Sequence, residues 1–425
     1  MKSPKMIELD GRTGEGGGQL VRIAIALASV TSKPVRITNV RGNRSGPRGG
    51  GLKSQHVTSV EWLAKATNAD VKGLDVGSKT LEFCPKRGPG DLLERNIKIY
   101  AESPAASALL ILQAVFPFLL FAGNESGDPV ELTISGGTNV SFSLSYEYLD
   151  QVVLPTLEAW FSIRVQRNLE SRGWSAGPKS RGSLWFKIHP LPLGTTLKLK
   201  DDVGTSRVHD DLAVQSVDAT IITPAELHGS LESILREDLT NLFPQAELNF
   251  KQPEDSRHES RIYVLLVAKS ETLRWGRDCL YSGKRKGKGQ EKLCKDVSRA
   301  VTKALADEQA GVVDEYLQDQ LVIFQALAEG RTSFPRWTTY KDWSEACDES
   351  ISGVDEELEK LHMDGGGLKR DRVRGPLGDV GTDSTHTQTA RWVTSEMLDP
   401  TKLTWYNKGT VCEGISLESG CSNTR

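Results

Sequence analysis

One histidine, His386, stands among hydroxyl side chains in the stretch STHTQTARWV. A neutral imidazole is nucleophilic near pH 7, so this residue is a candidate for covalent catalysis. Ser and Thr are also good N-caps, and the apolar residues that follow predict a helix here. The stretch therefore fits a nucleophile at a helix start, or a capped helix in which the histidine has no chemical role. The seven histidines show neither Ser-His-Asp order nor HExxH spacing, so nothing supports a hydrolase or a zinc enzyme.

A glycine run at residues 14–18, interrupted only by Glu15, lies between a predicted strand at residues 6–9 and a predicted helix. The unpaired N–H groups and the dipole of a helix N-terminus favour an anion, and glycines let a phosphate approach closely. The run therefore predicts a phosphate site or, alternatively, a tight turn. It has neither the lysine of a Walker motif nor the spacing of GxGxxG, so it is not a standard nucleotide loop.

Six basic residues and no acidic residue occur between residues 33 and 53. They are Lys33, Arg36, Arg41, Arg44, Arg48 and Lys53. Arginine binds phosphate through two parallel hydrogen bonds, so a polyphosphate or an RNA backbone would fit this stretch. A solvated basic loop is the alternative. A second basic run, GKRKGK at residues 283–288, fits an RNA contact, a nuclear-import signal or a flexible surface loop.

Polar residues inside two apolar helical patterns complete the set of candidates. Gln113 lies in the most apolar of these patterns, where an amide without a partner costs about 1 to 3 kcal/mol. It faces either a ligand or a partner in the protein backbone. Tyr316, Asp319 and Gln320 are spaced so that they share one helix face, which lines a pocket or meets water.

The composition is that of an ordinary folded protein with two or three domains, since the chain has 425 residues, 38% hydrophobic and 26% charged. The net charge of −3 means that any anion site must be local. Six scattered cysteines without a CxxC favour a reducing compartment over a disulfide framework. The N-terminus lacks the apolar core of a signal peptide. Polar residues interrupt the apolar run at residues 105–122, which predicts a buried helix rather than a membrane span.

Helix and strand patterns recur along the chain in the order βαβαββ, and we place these units near residues 6–84, 105–188 and 311–416. Such repeats predict an α/β (α+β) fold in which helices pack on open sheets. Residues 190–288 carry their own strands and a helix, which suits a small inserted α/β domain. Residues 331–383 combine an acidic run, a glycine triplet and a basic run, so we expect a surface loop or a disordered insertion.

We therefore predict three segments. Residues 1–189 form the first two units of a large domain, residues 190–288 form the inserted domain, and residues 289–425 form the third unit of the large domain.

Six motifs occur in an order that resembles the RNA 3′-terminal phosphate cyclases. They are LDGRTGEGGGQLVRIAIALA, VRGNR with LKSQH, AASALLILQAVFPFLLFAG, SGGTN, EYLQDQLVIFQALA and THTQTARWV. The resemblance spans most of the chain. It implies three βαβαββ units like the C-terminal domain of translation initiation factor three, with a small α/β domain inserted before the last unit.

The resemblance also implies an ATP-dependent enzyme of the ligase class that acts in RNA processing. In this family a histidine, which matches His386 here, attacks the α-phosphate of ATP to form a covalent histidine–AMP. The AMP then passes to the 3′-phosphate of an RNA. The neighbouring 2′-hydroxyl attacks that phosphate and leaves a 2′,3′-cyclic phosphate, with Mg²⁺ or Mn²⁺ assisting.

The same resemblance assigns roles to ten further residues. Those that line the ATP site are Gln113, Tyr316, Asp319 and Gln320. Those that hold phosphates, metal or the RNA end are Glu15, Arg22, Arg41, Arg44, Gln55 and His56. We expect no cage of protein ligands dedicated to a metal.

The sequence departs from the family pattern at several places. The family commonly shows RGxxPxGGGxV, whereas residues 172–184 read RGWSAGPKSRGSL, without that proline and without the glycine triplet. Leu144 stands where a proline is usual, and the loop between residues 44 and 55 is longer than the common form. These departures bear on how ATP and RNA are placed.

Two other functions are compatible with parts of the pattern. A non-catalytic, cyclase-like ribosome-assembly factor keeps the fold but lacks the nucleophile, and the retention of His386 favours the enzyme. An enolpyruvate transferase shares the unit fold, but its substrate motifs are absent. The expected partners are ATP and an RNA with a 3′-terminal phosphate, with no membrane. The basic run and the insertion favour the nucleus, with the cytoplasm as the alternative.

Overall fold

The computed structural model describes residues 5–44, 49–104, 106–200, 212–281, 289–309, 311–336, 370, 384–406 and 408–420. Within these residues the strands form four sheets, and helices pack on them. The predicted α/β class is confirmed.

The first unit follows the predicted order βαβαββ. Its elements are β1 (Ile7–Asp10), α1 (Gly18–Thr31), β2 (Val35–Thr38), α2 (Ser54–Thr67), β3 (Asp70–Lys72) and β4 (Leu81–Cys84). The sheet order is β1-β2-β4-β3, with β1 and β2 parallel and the other pairs antiparallel. Almost every residue of α1 is buried, as expected for a helix that has neighbours on all sides.

The second unit repeats this topology with the sheet order β5-β6-β8-β7. Its elements are β5 (Asn96–Tyr100), α3 (Ala108–Leu120), β6 (Val130–Gly136), α4 (Tyr146–Tyr148), α5 (Leu154–Phe161), β7 (Arg164–Ser171) and β8 (Gly182–His189). A π-helical turn at Leu149–Val153 joins α4 to α5. The apolar helix α3 is buried against α1, α2 and the sheet, which confirms the prediction for that run.

The inserted unit is a separate sheet with two helices. Its elements are β9 (Ser216–Thr223), α6 (His228–Leu242), β10 (Glu247–Phe250), β11 (Glu254–Asp255), β12 (Tyr263–Lys269), β13 (Arg274–Leu280) and α7 (Gln290–Ala306). The main strand order is β10-β9-β12-β13, and α7 packs on β12, β13 and α6. Since α7 follows residue 288, its contacts favour a later end of the inserted domain than we predicted. The three-segment division itself stays a prediction.

The third unit contains α8 (Glu315–Leu327), β14 (Arg331–Ser333), α9 (Thr385–Met397), β15 (Thr404–Tyr406) and β16 (Val411–Glu413). Its sheet order is β14-β16-β15, which matches the last three positions in the sheets of the first and second units. A parallel bridge joins Lys198 to Glu329, so the chain ahead of the inserted unit lies where the first strand would be.

The predicted insertion at residues 331–383 begins too early. Residues 331–333 form β14, and Phe334 is buried with its ring stacked on Trp160 at a centroid distance of 4.8 Å. Apart from residues 331–336 and 370, this segment lies outside the described residues. No helix in the described part of the chain is long and apolar enough to cross a membrane.

Candidate active site

The N-terminal ends of α1 and α9 meet because the glycine run contacts Thr389, which begins the second turn of α9. The backbone N–H of Glu15 donates to Thr389 Oγ1 at 2.8 Å. Gly14 has a φ of +65°, and a Cβ there would lie 2.3 Å from the same Oγ1 atom. Only glycine fits this close approach with a left-handed backbone. The contact brings Glu15 of the first unit to His386 of the third.

His386 lies in the first turn of α9, and its side chain faces Glu15. The Nδ1 atom is 3.5 Å from Glu15 Oε2, and neither atom has a hydrogen-bond partner among the described residues. Ser384 caps the helix by accepting from the N–H of Thr387 at 3.1 Å. Burial lowers the pKa of His386, and the charges of Arg22 and Arg44 lower it further. The imidazole is therefore neutral at neutral pH, which is the nucleophilic form.

A chain of polar side chains crosses from α1 through α3 to α8. Arg22 Nε donates to Gln113 Oε1 at 2.5 Å, and Gln113 Nε2 donates to Gln320 Oε1 at 3.0 Å. Gln320 in turn donates to Asp319. The partner of Gln113 is thus a set of side chains rather than the backbone that we considered.

Burial shifts the pKa of both charged ends of this chain. It lowers the pKa of Arg22 to about 10, with the Asp319 charge opposing and the Arg41 charge adding to the shift. It raises the pKa of Asp319 to about 7, against the opposing effects of Gln320 and Arg22. An additional anion here would relieve the crowding of positive charge around Arg22.

His56, in the first turn of α2, points a buried donor at the start of α1. Its Nδ1 accepts from the N–H of Lys53 at 3.1 Å, so the neutral ring carries its proton on Nε2. That Nε2 has no hydrogen-bond partner among the described residues. A Cβ on Gly18 would lie 2.6 Å from it and 2.9 Å from Arg22 Nη1. An anion at this place would therefore meet three kinds of hydrogen-bond donor, which are the first N–H groups of α1, His56 Nε2 and the guanidinium of Arg22.

His56 is kept neutral by its surroundings. Burial lowers its pKa well below the ordinary value, and the charges of Arg22, Arg41 and Lys53 act in the same direction. A neutral imidazole donor costs less to bury than a charged one and still hydrogen-bonds a phosphate oxygen.

The basic stretch at residues 33–53 divides between the site and the surface. Arg44 forms an ion pair with Glu15, and Arg41 donates to the Gly51 carbonyl at 3.3 Å. Arg36 instead pairs with Glu8 and Glu82 on the first sheet, and Lys33 donates to the Met397 carbonyl. Strand β2 alternates its side chains, which is why Arg36 faces away from the site. Arg48 lies outside the described residues.

Tyr316 and Gln55 lie at the edges of this cluster. Tyr316 is one turn before Asp319 and Gln320 on α8, and its side chain is 37% exposed. Gln55 is the half-buried neighbour of His56 in the first turn of α2.

Three residues that contribute to the site were not predicted from the sequence. Gln19 lies one turn before Arg22, accepts from it at 3.3 Å and leaves its buried Nε2 without a partner among the described residues. The sequence could have indicated Gln19, because it lies three residues before Arg22 on the same predicted helix. It could likewise have indicated Thr389, which lies one turn after His386. Arg277, which packs on Tyr316, comes from a distant strand and gave no signal.

The site offers a divalent cation one suitable carboxylate, that of Glu15. In the described residues, no group of three or more His, Cys, Asp or Glu side chains is arranged to hold a metal ion. Mg²⁺ is commonly bound by one or two carboxylates together with substrate phosphates. The buried Glu15 Oε2, which is without a hydrogen-bond partner, fits that role beside the proposed phosphate site.

Comparison with known proteins gives one consistent family. A family model described as RNA 3′-terminal phosphate cyclase matches residues 13–352. The chain is 34% identical to a Pyrococcus abyssi protein named RNA 3′-terminal phosphate cyclase, over 76% of this chain and 87% of the relative. It is 30% identical to a Drosophila melanogaster protein of the same name, over 78% of this chain and 86% of the relative. The family-model match ends before α9, so the role of His386 depends on its motif and on the site geometry.

Proposed function

Because the chain belongs to the RNA 3′-terminal phosphate cyclase family, we propose that it converts the 3′-terminal phosphate of an RNA into a 2′,3′-cyclic phosphate with ATP as co-substrate. The observation that carries the proposal is the contact of His386 with Glu15 beside the donors of Arg22 and His56. A neutral nucleophile thus stands next to an anion site.

His386 would act through Nε2. Its Nδ1 faces the Glu15 carboxylate, so the proton belongs on Nδ1 and the Nε2 lone pair is free. Attack of Nε2 on the α-phosphorus forms the N–P bond as the bond to pyrophosphate breaks. The imidazole gains positive charge in this step, and the negative Glu15 beside Nδ1 stabilises it.

The phosphates would bind at the N-terminus of α1. The candidate donors are the first N–H groups of α1, the Nε2–H of His56 and the guanidinium of Arg22. These groups are fixed before substrate arrives, since Lys53 orients His56 and Gln113 orients Arg22. Such preorganised donors stabilise developing charge without reorganisation. A divalent cation, when bound at Glu15, would neutralise phosphate charge and favour departure of pyrophosphate.

The later steps transfer AMP and then close the ring. An oxygen of the RNA 3′-phosphate attacks the phosphorus of the adenylate, and His386 leaves as a neutral imidazole after its N–P bond breaks. The 2′-hydroxyl then attacks the activated 3′-phosphate, loses its proton and displaces AMP. Arg41, Arg44 and Gln55 are proposed to hold the RNA end, as the family resemblance implies.

The proposal is tested with a short RNA that ends in a 3′-phosphate labelled with ³²P. With ATP and Mg²⁺, we expect the label to become resistant to phosphatase and to regain sensitivity after acid opening of the cyclic phosphate. An RNA whose 3′-phosphate neighbours a 2′-deoxyribose is the matched control. It can accept AMP but cannot cyclise, so its labelled product must be the adenylate, which also resists phosphatase and is separated by chromatography, and never a cyclic phosphate. Full sensitivity of the first RNA, with folded protein, would favour a non-catalytic cyclase-like role in ribosome assembly.

We also propose that the protein acts in the nucleus. The support is the basic run at residues 283–288, whose composition is typical of an import signal. The run itself lies outside the described residues. A fluorescent fusion of the full chain should lose nuclear enrichment when Lys284, Arg285 and Lys286 are replaced by alanine. Equal distribution of both fusions between nucleus and cytoplasm would contradict this.

A further inference from the structure

Strand β13 of the inserted unit is seated on the start of α8, the helix that carries Tyr316, Asp319 and Gln320. Trp275 Nε1 donates to the Gly311 carbonyl at 2.8 Å, and the N–H of Gly276 donates to Asp314 Oδ2 at 2.8 Å. Asp314 is fully buried. Consecutive residues of β13 therefore fix the segment that leads into α8.

Asp314 joins three parts of the molecule at one carboxylate. Its Oδ1 caps α8 by accepting from the N–H groups of Tyr316 and Leu317 at 2.9 Å. The same oxygen accepts from the Tyr148 hydroxyl at 2.5 Å, and Oδ2 accepts from Gly276. The N-terminus of α8 is thus tied to the second unit and to the inserted unit together.

The inserted unit also fits closely against the second unit. A Cβ on Gly276 would lie 2.6 Å from Val152 Cγ2 and 2.7 Å from Tyr148 Cε2, so no larger residue fits there without movement. Tyr148 packs edge-on against Tyr316, with ring centroids 6.0 Å apart. This close packing limits how far β13 can shift relative to Tyr316.

Arg277, the next residue of β13, covers the Tyr316 ring. It is only 7% exposed, and its guanidinium carbon lies 4.0 Å from the ring centroid. The guanidinium also pairs with Glu308 and, at 2.8 Å, with Glu315. Glu308 accepts in addition from Arg336 at 2.9 Å. Arg277 is therefore held in place by a buried ion pair with Glu308 and a partly buried one with Glu315, while its guanidinium lies over the ring.

We propose that Arg277 is a positioning residue that holds the Tyr316 ring ready to receive the base of the nucleotide. This inference rests on the proposed function, in which Tyr316 lines the ATP site. Arg277 does not need to touch the nucleotide. A ring that is fixed in advance loses less freedom when a base packs on it, so the inserted unit contributes to nucleotide affinity through this one side chain.

Arg277→Lys is the test variant, because it keeps the positive charge beside Glu308 and Glu315 but loses the planar guanidinium over the ring. We expect the KM for ATP in enzyme adenylation to rise about fivefold, with kcat at saturating ATP changed less than about twofold. Arg236→Lys is the matched control, since Arg236 lies 4.2 Å over the Phe250 ring within the same inserted unit. Its KM should equal that of the wild type.

A double-mutant cycle separates positioning from a general loss of packing. In a Tyr316→Leu background, Arg277→Lys should no longer change the KM, because the ring through which it acts is gone. An equal rise in both backgrounds, or a fall in kcat without a change in KM, would overturn the inference. So would an unchanged KM in Arg277→Lys alone.

The same variants distinguish this inference from the proposed function. If the wild type forms no adenylate, the proposed function fails, and equilibrium dialysis with labelled ATP then provides the affinity comparison. Weaker ATP binding in Arg277→Lys, with Arg236→Lys unchanged, would still support the positioning role. Absence of ATP binding by the wild type would overturn both.

Discussion

The chemistry of the site depends on which side chains are neutral and which are charged. His386 and His56 have lowered pKa values, and Asp319 has a raised one, because His56 is buried and the other two are partly buried near other charges. The sequence pointed to these residues through family motifs. It could not give their protonation, since that depends first on how far the fold buries each group and then on nearby charges such as Arg22.

Asp319 gives a pH dependence whose sign is fixed by its raised pKa. The folded pKa of about 7 lies above the unfolded value of 3.8, so the folded state binds more protons between these values. Stability therefore falls as the pH rises through this window. Asp319→Asn removes the titration. From about pH 5 to about pH 8, the free energy of unfolding of the variant relative to that of the wild type should therefore rise by about 1 kcal/mol or more.

The measurement is the midpoint of urea unfolding of both proteins at the two pH values. Glu61→Gln is the control, because it removes one charge from the exposed face of α2, where Glu61 lies 3.7 Å from Lys65. Parallel pH curves for Asp319→Asn and the wild type would contradict the assigned pKa.

At the scale of elements, the contact between the glycine run and α9 places His386, the proposed nucleophile, beside Glu15. Gly14→Ala places a Cβ 2.3 Å from Thr389 Oγ1 at a φ of +65°, so we expect a loss of about 1 to 3 kcal/mol in stability. Adenylation should fall by more than this loss explains, because His386 shifts away from Glu15. The measurements are urea unfolding and the rate of adenylate formation.

Gly229→Ala is the control for this change, since nothing lies within 4 Å of a Cβ at Gly229 in α6. It should leave adenylation near the wild-type rate and should not lower stability, since alanine favours a helix more than glycine does. A Gly14→Ala protein with unchanged adenylation would show that the contact with Thr389 does not align the site.

Most elements could be predicted from periodicity, and the exceptions have physical reasons. The first and second units follow the predicted order, but β5 was missed although its residues, NIKIY, alternate in burial. Strand β14 was missed because it has only three residues and precedes a polar segment. In the inserted unit, β9, β12 and α6 were predicted near their observed places, whereas β10, β13 and the helix α7 were not. The helix α7 was missed although Leu293, Val297, Val301 and Leu305 recur at helical spacing.

At the scale of the whole molecule, the site joins residues from three units. Glu15 and Arg22 come from the first unit, Gln113 from the second, and Asp319 and His386 from the third. The family recognition from ordered motifs is confirmed by the family match. The assembly itself could not be predicted from local pattern, because Glu15 and Thr389 are 374 residues apart.

A ligand that bridges these units should stabilise the whole fold by mass action. At ATP concentrations of about 100 times the Kd, the expected gain is about 2.7 kcal/mol, and the melting temperature should rise. Arg22→Gln removes a central donor of the proposed phosphate site, so ATP should give that variant little or no rise. Thermal unfolding with and without ATP and Mg²⁺ measures this, with Arg36→Gln on the first sheet as the matched control. An equal rise in Arg22→Gln would place the nucleotide elsewhere.

The central claim is that His386 carries the AMP. Incubation of the full chain with ATP labelled at the α-phosphate should give an adenylated protein that loses its label in acid and resists base, as a phosphoramidate does. We expect His386→Ala to take up no label, while His189→Ala, at the end of β8, labels like the wild type. Label on His386→Ala, or none on a folded wild type, would contradict the account.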